Sequence, residues 1–273
     1  MIGAGLSGWL GWKYGMPAIF YLAAAFGVLA IITVLMIPEA AIDHRAARGL
    51  EDNADDKDDA AGGQAEGFKT LLKNKPMLIL AAALACFHLG NGAMLPLYGL
   101  AVVGAGKGNP AVFTATTVVV AQAVMIVASL LAMRMSAGKG YWLVLLISFA
   151  ALPLRGLLAG TFIEQWGVWP VQALDGIGAG LQSVAVPGLV ACLLAGTGRV
   201  NVGQGAAMTV QGLAASLSPA IGGWIAQGLG YQTAFYILGS FALASLALWI
   251  VFARTIRGAC EDASGDVGKG RTA

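Results

Sequence analysis

Long apolar runs free of charge dominate the chain: residues 17–38, 76–106, 108–133, 140–154, 176–198 and 200–253 contain no Asp, Glu, Lys or Arg. Alone or with a neighbour, each is long enough to cross roughly 30 Å of hydrocarbon as a helix of about 20 residues. None keeps a strict two-residue alternation, so helices and not barrel strands are predicted. The predicted spans are 15–37, 76–99, 112–134, 141–159, 168–194, 203–226 and 232–253, about seven in all, with residues 1–12 as part of one more. The last two share a single uncharged stretch, 200–253. As one helix it would measure about 80 Å. It has to break, and GLGYQ at 228–232 supplies the turn.

One polar segment, 38–75, interrupts this pattern. Glu39, Asp43, Glu51, Asp52, Asp55, Asp56, Asp58, Asp59 and Glu66 place most of the chain's 14 acids there. Its centre, LEDNADDKDDAAGGQAEG, reads as a solvated linker. Residues 66–75 suggest a short amphipathic helix at the interface, with Phe68, Leu71 and Leu72 inward.

Composition narrows the class. The chain is 58% hydrophobic and 11% charged, against about 25% charged in soluble domains, and a soluble core of this size could not hide so much apolar surface. The 39 glycines, with abundant alanine, suit helices that associate through small residues. Cys86, Cys192 and Cys260 lack metal-ligand spacing and read as packing residues, the first two lying in apolar runs. No cofactor, metal or nucleic acid is expected. Met1 leads into small apolar residues without a basic region, so a cleaved leader is not expected.

Basic residues set the orientation. With the linker inside, Arg45, Arg48, Lys57, Lys69, Lys73, Lys75, Arg134, Lys139, Arg199, Arg254, Arg257, Lys269 and Arg271 fall on that side, against Lys13, Lys107 and Arg155 on the other. The bias places linker and C-terminus in the cytoplasm of a cell whose plasma or inner membrane holds the protein.

An internal repeat is visible. GWLGWKYGMPAIFYL (8–22) aligns without gaps on GWIAQGLGYQTAFYI (223–237), with Gly8/Gly223, Trp9/Trp224, Gly15/Gly230, Phe20/Phe235 and Tyr21/Tyr236 identical. If 76–253 is a six-helix bundle, the repeat makes 1–37 the end of an equivalent one whose earlier spans are missing.

Two six-span units in parallel repeat, joined by a charged linker, resemble the major facilitator superfamily. LSGWLGWKYGMPAIFY looks like the junction of that family's fifth and sixth helices, and SPAIGGWIAQGLGYQTAFY like that of its eleventh and twelfth. SPAIGG is similar to the antiporter motif Gly-Pro-x-x-Gly-Gly, but in the second half. RMSAGKG (134–140) resembles a degenerate copy of the family's Asp-Arg-x-Gly-Arg loop, without its acid. The resemblance implies an all-α, polytopic transmembrane bundle. Its expected parts are a remnant of the N-terminal bundle (1–37, the end of helix five and helix six), a cytoplasmic linker (38–75), a C-terminal six-helix bundle (76–253, ending with helix twelve) and a cytoplasmic tail (254–273).

Charge within a span is costly and therefore informative. Asp175 is the acid placed well within one. Arg155, toward the outer end of the preceding span, is its candidate partner, and Glu164 competes from the loop. The pair reads either as a gate or proton-coupling element or as a structural lock between two helices. His88 and Asn91 share one face of span 76–99, where Pro96 is expected to bend the helix. The fold resemblance puts that helix beside a central cavity, so both are candidates for substrate contact or proton relay, or else for an interhelical bond. Gln122 and Gln211, each alone among apolar neighbours, are the further substrate candidates; Gln182, Ser183 and Gln204 are weaker ones. Trp9, Trp12, Trp142, Trp166, Trp169 and Trp224 fall near predicted membrane edges and read as an interfacial belt.

The expected function is secondary active transport of a small solute by alternating access, with proton coupling and with the missing N-terminal bundle required. The alternative is a truncated or non-transporting membrane scaffold. An enzyme is disfavoured, because no Ser–His, His–Glu–x–x–His or Asp–Asp pair lies at one depth.

Overall fold

The computed structural model describes residues 2–38, 73–107 and 110–259, and every described element is helical. In chain order these are α1 (Ile2–Tyr14), α2 (Met16–Leu35), α3 (Lys75–Asn91), α4 (Met94–Gly104), α5 (Pro110–Thr161), a 3-10 turn (Gln165–Gly167), α6 (Val168–Leu193) and α7 (Val200–Val251). Most of the 38–75 segment, including the amphipathic stretch expected around Phe68, Leu71 and Leu72, lies outside the described residues, as does Cys260.

Among the described residues, five helices are long and apolar enough to cross a membrane: Pro17–Leu35, Lys75–Gly104, Thr116–Thr161, Gln165–Leu193 and Val200–Val251. Two of these are folded in half. α5 leaves helical geometry at Gly140 (φ 75°, ψ 164°) and α7 at Gly230 (φ 84°, ψ 162°), so each of these 52-residue elements has two legs. A positive φ with so extended a ψ is a region used by glycine almost alone and costs a side-chain-bearing residue about 1–3 kcal/mol, a cost that glycine avoids. The break in 200–253 falls inside the GLGYQ turn. Gly15, between α1 and α2, takes nearly the same conformation (φ 84°, ψ 171°). The aligned Gly15 and Gly230 are thus the same structural device, used twice.

Span 76–99 is interrupted earlier than its proline suggests. α3 starts with Asn74 accepting the Met77 N–H at 3.1 Å and ends at Asn91; α4 resumes at Met94. At the break, the buried Ser218 hydroxyl accepts the Ala93 N–H at 2.8 Å. Pro96 sits in the first turn of α4, where its missing N–H costs nothing.

Small residues set the helix spacing. A Cβ on Gly176 would lie 2.5 Å from the Ala121 carbonyl oxygen, and one on Gly180 2.6 Å from that of Met125, so α6 lies directly against the first leg of α5. Gly156 and Gly239 bring the second legs of α5 and α7 together, a Cβ on Gly156 falling 2.9 Å from the Gly239 Cα. Gly90 of α3 and Gly92, just past its end, press on the carbonyls of Leu238 and Ala215. Close backbone approach through glycine is the usual packing mode where lipid removes the hydrophobic drive between helices. Around these contacts Leu80, Leu84, Tyr98, Phe149, Phe235, Leu238 and Trp249 are fully buried.

α2 differs from the rest. Its most apolar window is wholly unburied, with Phe20, Tyr21, Ile31, Val34 and Leu35 exposed. Of the cysteines, Cys86 is a free thiol, whereas Cys192 is disulfide-bonded. That corrects its reading as a packing residue: an apolar run around a cysteine describes its burial and says nothing of its redox partner.

Candidate functional site

Three helices contribute to one polar cluster in the apolar interior. The second leg of α5 carries Arg155, which is 1% exposed, and its Nη1 lies 2.9 Å from Oδ1 of Asp175 on α6, which is 22% exposed. The same Nη1 donates to Oδ1 of Asn91 near the end of α3, and Asn91 Nδ2 donates to Asp175 Oδ1 at 3.4 Å. Cation and anion are therefore cross-linked by an amide that bonds to both. The acid has an opening on one side; the guanidinium has none. Removing one partner of such a pair leaves an uncompensated interior charge, a change that costs about 3–5 kcal/mol.

A second set of polar contacts joins the same two helices, α5 and α6. The Ser148 hydroxyl donates to the Gly178 carbonyl at 3.1 Å and accepts from Gln182 Nε2 at 3.0 Å. Ser148 precedes Arg155 by seven residues, two helical turns, so both side chains point from one face of α5 onto α6. His88, one turn before Asn91 on α3, stands edge-on to Phe87 with ring centroids 5.3 Å apart. Its imidazole sits beside Gln182 and within electrostatic range of Asp175. Among the described residues His88 Nε2, Arg155 Nε and Nη2, and both amide atoms of Gln172 are buried without a hydrogen-bond partner. The cluster thus holds more hydrogen-bonding capacity than its own members use.

The other candidates lie apart. Glu164, the competing partner, pairs instead with Lys107 at 2.5 Å, both side chains nearly half exposed. The Tyr98 hydroxyl donates to the Glu164 carbonyl at 3.0 Å and also bonds the Phe162 carbonyl, which ties that loop to α4. Gln122 is exposed on the first leg of α5, one residue beyond the Ala121 carbonyl that abuts Gly176, hence close to the depth of Asp175. Gln211 is half-buried on α7, one turn before the Ala215 that meets Gly92, which puts it level with His88. No hydrogen bond joins either glutamine to the cluster. Gln204 donates to the Pro187 carbonyl at 2.8 Å and ties α7 to α6.

Ser148 and Gln172 are members or neighbours of the site that the sequence pattern did not single out. The spacing Ser148–Arg155 was the available signal for the first. Gln172, one turn before Asp175, differs in its chain context from no other amide in a span. Among the described residues no three His, Cys, Asp or Glu side chains gather as a metal site would require.

Comparison with known proteins bears on the fold. The family model described as Major Facilitator Superfamily matches residues 1–219. An uncharacterized MFS-type transporter of Mycobacterium tuberculosis strain H37Rv is 33% identical over 251 residues, covering 91% of this chain and 58% of the relative. Its counterpart in strain CDC 1551 / Oshkosh matches to the same extent. The chain thus spans somewhat more than half the length of these relatives. The family match corrects the reading of the chain as a C-terminal portion, from the end of helix five through helix twelve. It begins at residue 1 and runs through the polar segment into α7, so the fold extends over nearly the whole chain. A repeat relates two segments to each other; it does not place them within a longer sequence.

Proposed function

Because the chain belongs to the Major Facilitator Superfamily, we propose that it serves secondary active transport of a small solute by alternating access, with the Arg155–Asn91–Asp175 cluster as its coupling element. The observation that carries this reading is the asymmetry of the pair: Arg155 is sealed inside while Asp175 keeps an opening. A proton arriving at that opening would neutralise Asp175 and strand the guanidinium. The packing of α3, α5 and α6 around it would then have to change. Protonation and helix arrangement are linked in that way. His88 is the relay candidate beside the acid. Asn91, Gln122 and Gln211, on neighbouring helices and near one depth, are the candidate solute contacts. A second helical bundle would cover the partly exposed Asp175 during transport.

In this reading the broken α5 and α7 each cross twice and, with α2, the α3–α4 unit and α6, give seven spans. The linker and the C-terminus face the cytoplasm, in keeping with the distribution of basic side chains. The test is solute-driven proton flux in proteoliposomes across a panel of small solutes, comparing wild type with Asp175→Asn and His88→Ala. Loss of proton movement in Asp175→Asn, with solute binding retained, supports the coupling role. Unchanged rates and pH dependence in both variants would remove it, and the absence of any solute-dependent flux in wild type would favour a non-transporting scaffold.

A further inference from the structure

At the opposite end of the bundle from the Lys107–Glu164 pair is a cleft of about 420 Å³ with Lys139, Tyr141, Trp142, Leu189 and Arg257 in its wall. We propose that this cleft binds the phosphodiester headgroup of an anionic phospholipid.

Three observations support the assignment. First, the wall carries two cations, and among the described residues no acid lines it and neither Lys139 nor Arg257 has an ion-pair partner. The cleft at the other end is different, because there Lys107 is already neutralised by Glu164. Second, Arg257 is held in place. Its guanidinium carbon lies over the Trp142 ring, 3.8 Å from the centroid, and Trp142 is itself anchored by its N–H bond to the Trp249 carbonyl. Stacking occupies the face of a guanidinium and leaves its edge donors in the plane, where a phosphate is bound through two parallel N–H bonds. Third, the cleft lies at membrane-surface depth. It sits beside the Gly140 break and beyond the end of α7, with Tyr141 and Trp142 as the amphipathic rings common at headgroup level. Ile250 and Val251, 54% and 73% exposed at the end of α7, offer apolar surface for an acyl chain. A basic pocket between helix ends, opening onto lipid, suits a lipid phosphate better than a freely diffusing one.

The experiment is native mass spectrometry of the full chain in detergent, titrated separately with phosphatidylglycerol and phosphatidylcholine. Wild type should retain phosphatidylglycerol preferentially. Lys139→Gln/Arg257→Gln should reduce that retention on the order of 30-fold, the product of two surface cations acting on one anion. Lys139→Gln alone, at an exposed position, should reduce it about fivefold and serves if the double variant does not elute as folded protein. Lys107→Gln should leave it unchanged. Equal retention of the two lipids by wild type, or undiminished phosphatidylglycerol retention in both cleft variants, would overturn the proposal. Displacement of the lipid by millimolar inorganic phosphate would reassign the cleft to a soluble anion and overturn the lipid assignment. Both readouts are independent of transport.

Discussion

The indole N–H of Trp249 donates to the Trp142 carbonyl at 2.9 Å, and the Trp142 indole returns the bond to the Trp249 carbonyl at 3.2 Å. The exchange clasps the start of the second leg of α5 to the end of α7. Trp249 is completely buried and meets Phe149 edge-on, with centroids 5.3 Å apart at 82°. The clasp holds the helix ends from which the Arg257 side chain and the Gly140 break take their positions.

Trp249→Phe keeps most of the ring volume and removes only the donor, leaving the Trp142 carbonyl short of a partner. The expected loss is about 1–3 kcal/mol. Trp249→Ala also opens a cavity, and the expected loss rises to about 3–5 kcal/mol. Thermal unfolding of the purified variants in detergent should rank them in that order; a Trp249→Phe variant as stable as wild type would mean that the hydrogen bond contributes nothing, and equal losses in the two variants would mean that ring packing adds nothing to it.

The buried ion pair predicts non-additivity. Arg155→Met and Asp175→Asn each leave one member without its charge partner, and each should destabilise by about 3–5 kcal/mol. In Arg155→Met/Asp175→Asn the stranded charge is gone, so the double variant should unfold closer to wild type than either single one. A double-mutant cycle on denaturation midpoints measures this, and simple additivity would show that the two side chains do not act as a pair.

Glycine positions divide sharply by what surrounds them. At Gly176 and Gly180 a methyl group would strike the α5 backbone, whereas at Gly212 and Gly223 nothing lies within 4 Å. Gly176→Ala and Gly180→Ala should therefore lower the melting temperature by separating α5 from α6. Gly212→Ala and Gly223→Ala should be neutral or stabilising by up to about 1 kcal/mol, because alanine is the better helix former.

How far the sequence revealed this arrangement depended on which physical signal a feature leaves along the chain. Spans are legible because lipid demands an uninterrupted apolar run, and the α7 break because a 54-residue run, 200–253, cannot stay straight. Asp175 and Arg155 stood out as charges among apolar neighbours. Their connection through Asn91 was not legible, since an interhelical amide bond depends on how two distant segments pack. Trp142 read as an interfacial ring, and its reciprocal bonds with Trp249 were not legible, since they join positions 107 residues apart. The Ser218 hydroxyl that accepts the Ala93 N–H at 2.8 Å sits 125 residues away from it in sequence, and no local pattern announces such a cap.

The two aligned glycines give the last prediction. Gly15 and Gly230 share φ 84°, and Gly140 is close at 75°. At Gly230 no atom lies within 4 Å of the point a methyl group would occupy, so crowding cannot explain the residue; the backbone angle alone does. Gly230→Ala should destabilise by about 1–3 kcal/mol, while the equally unobstructed Gly223→Ala, in regular helix, should not. Gly230→Asn should lose as much as Gly230→Ala, because asparagine tolerates the left-handed helical region and not the extended ψ of 162° found here. Melting temperatures of the three variants in one detergent decide the matter. If Gly230→Ala matched Gly223→Ala, the turn between the legs of α7 would be set by the neighbouring Tyr231 and Leu229 and not by the glycine.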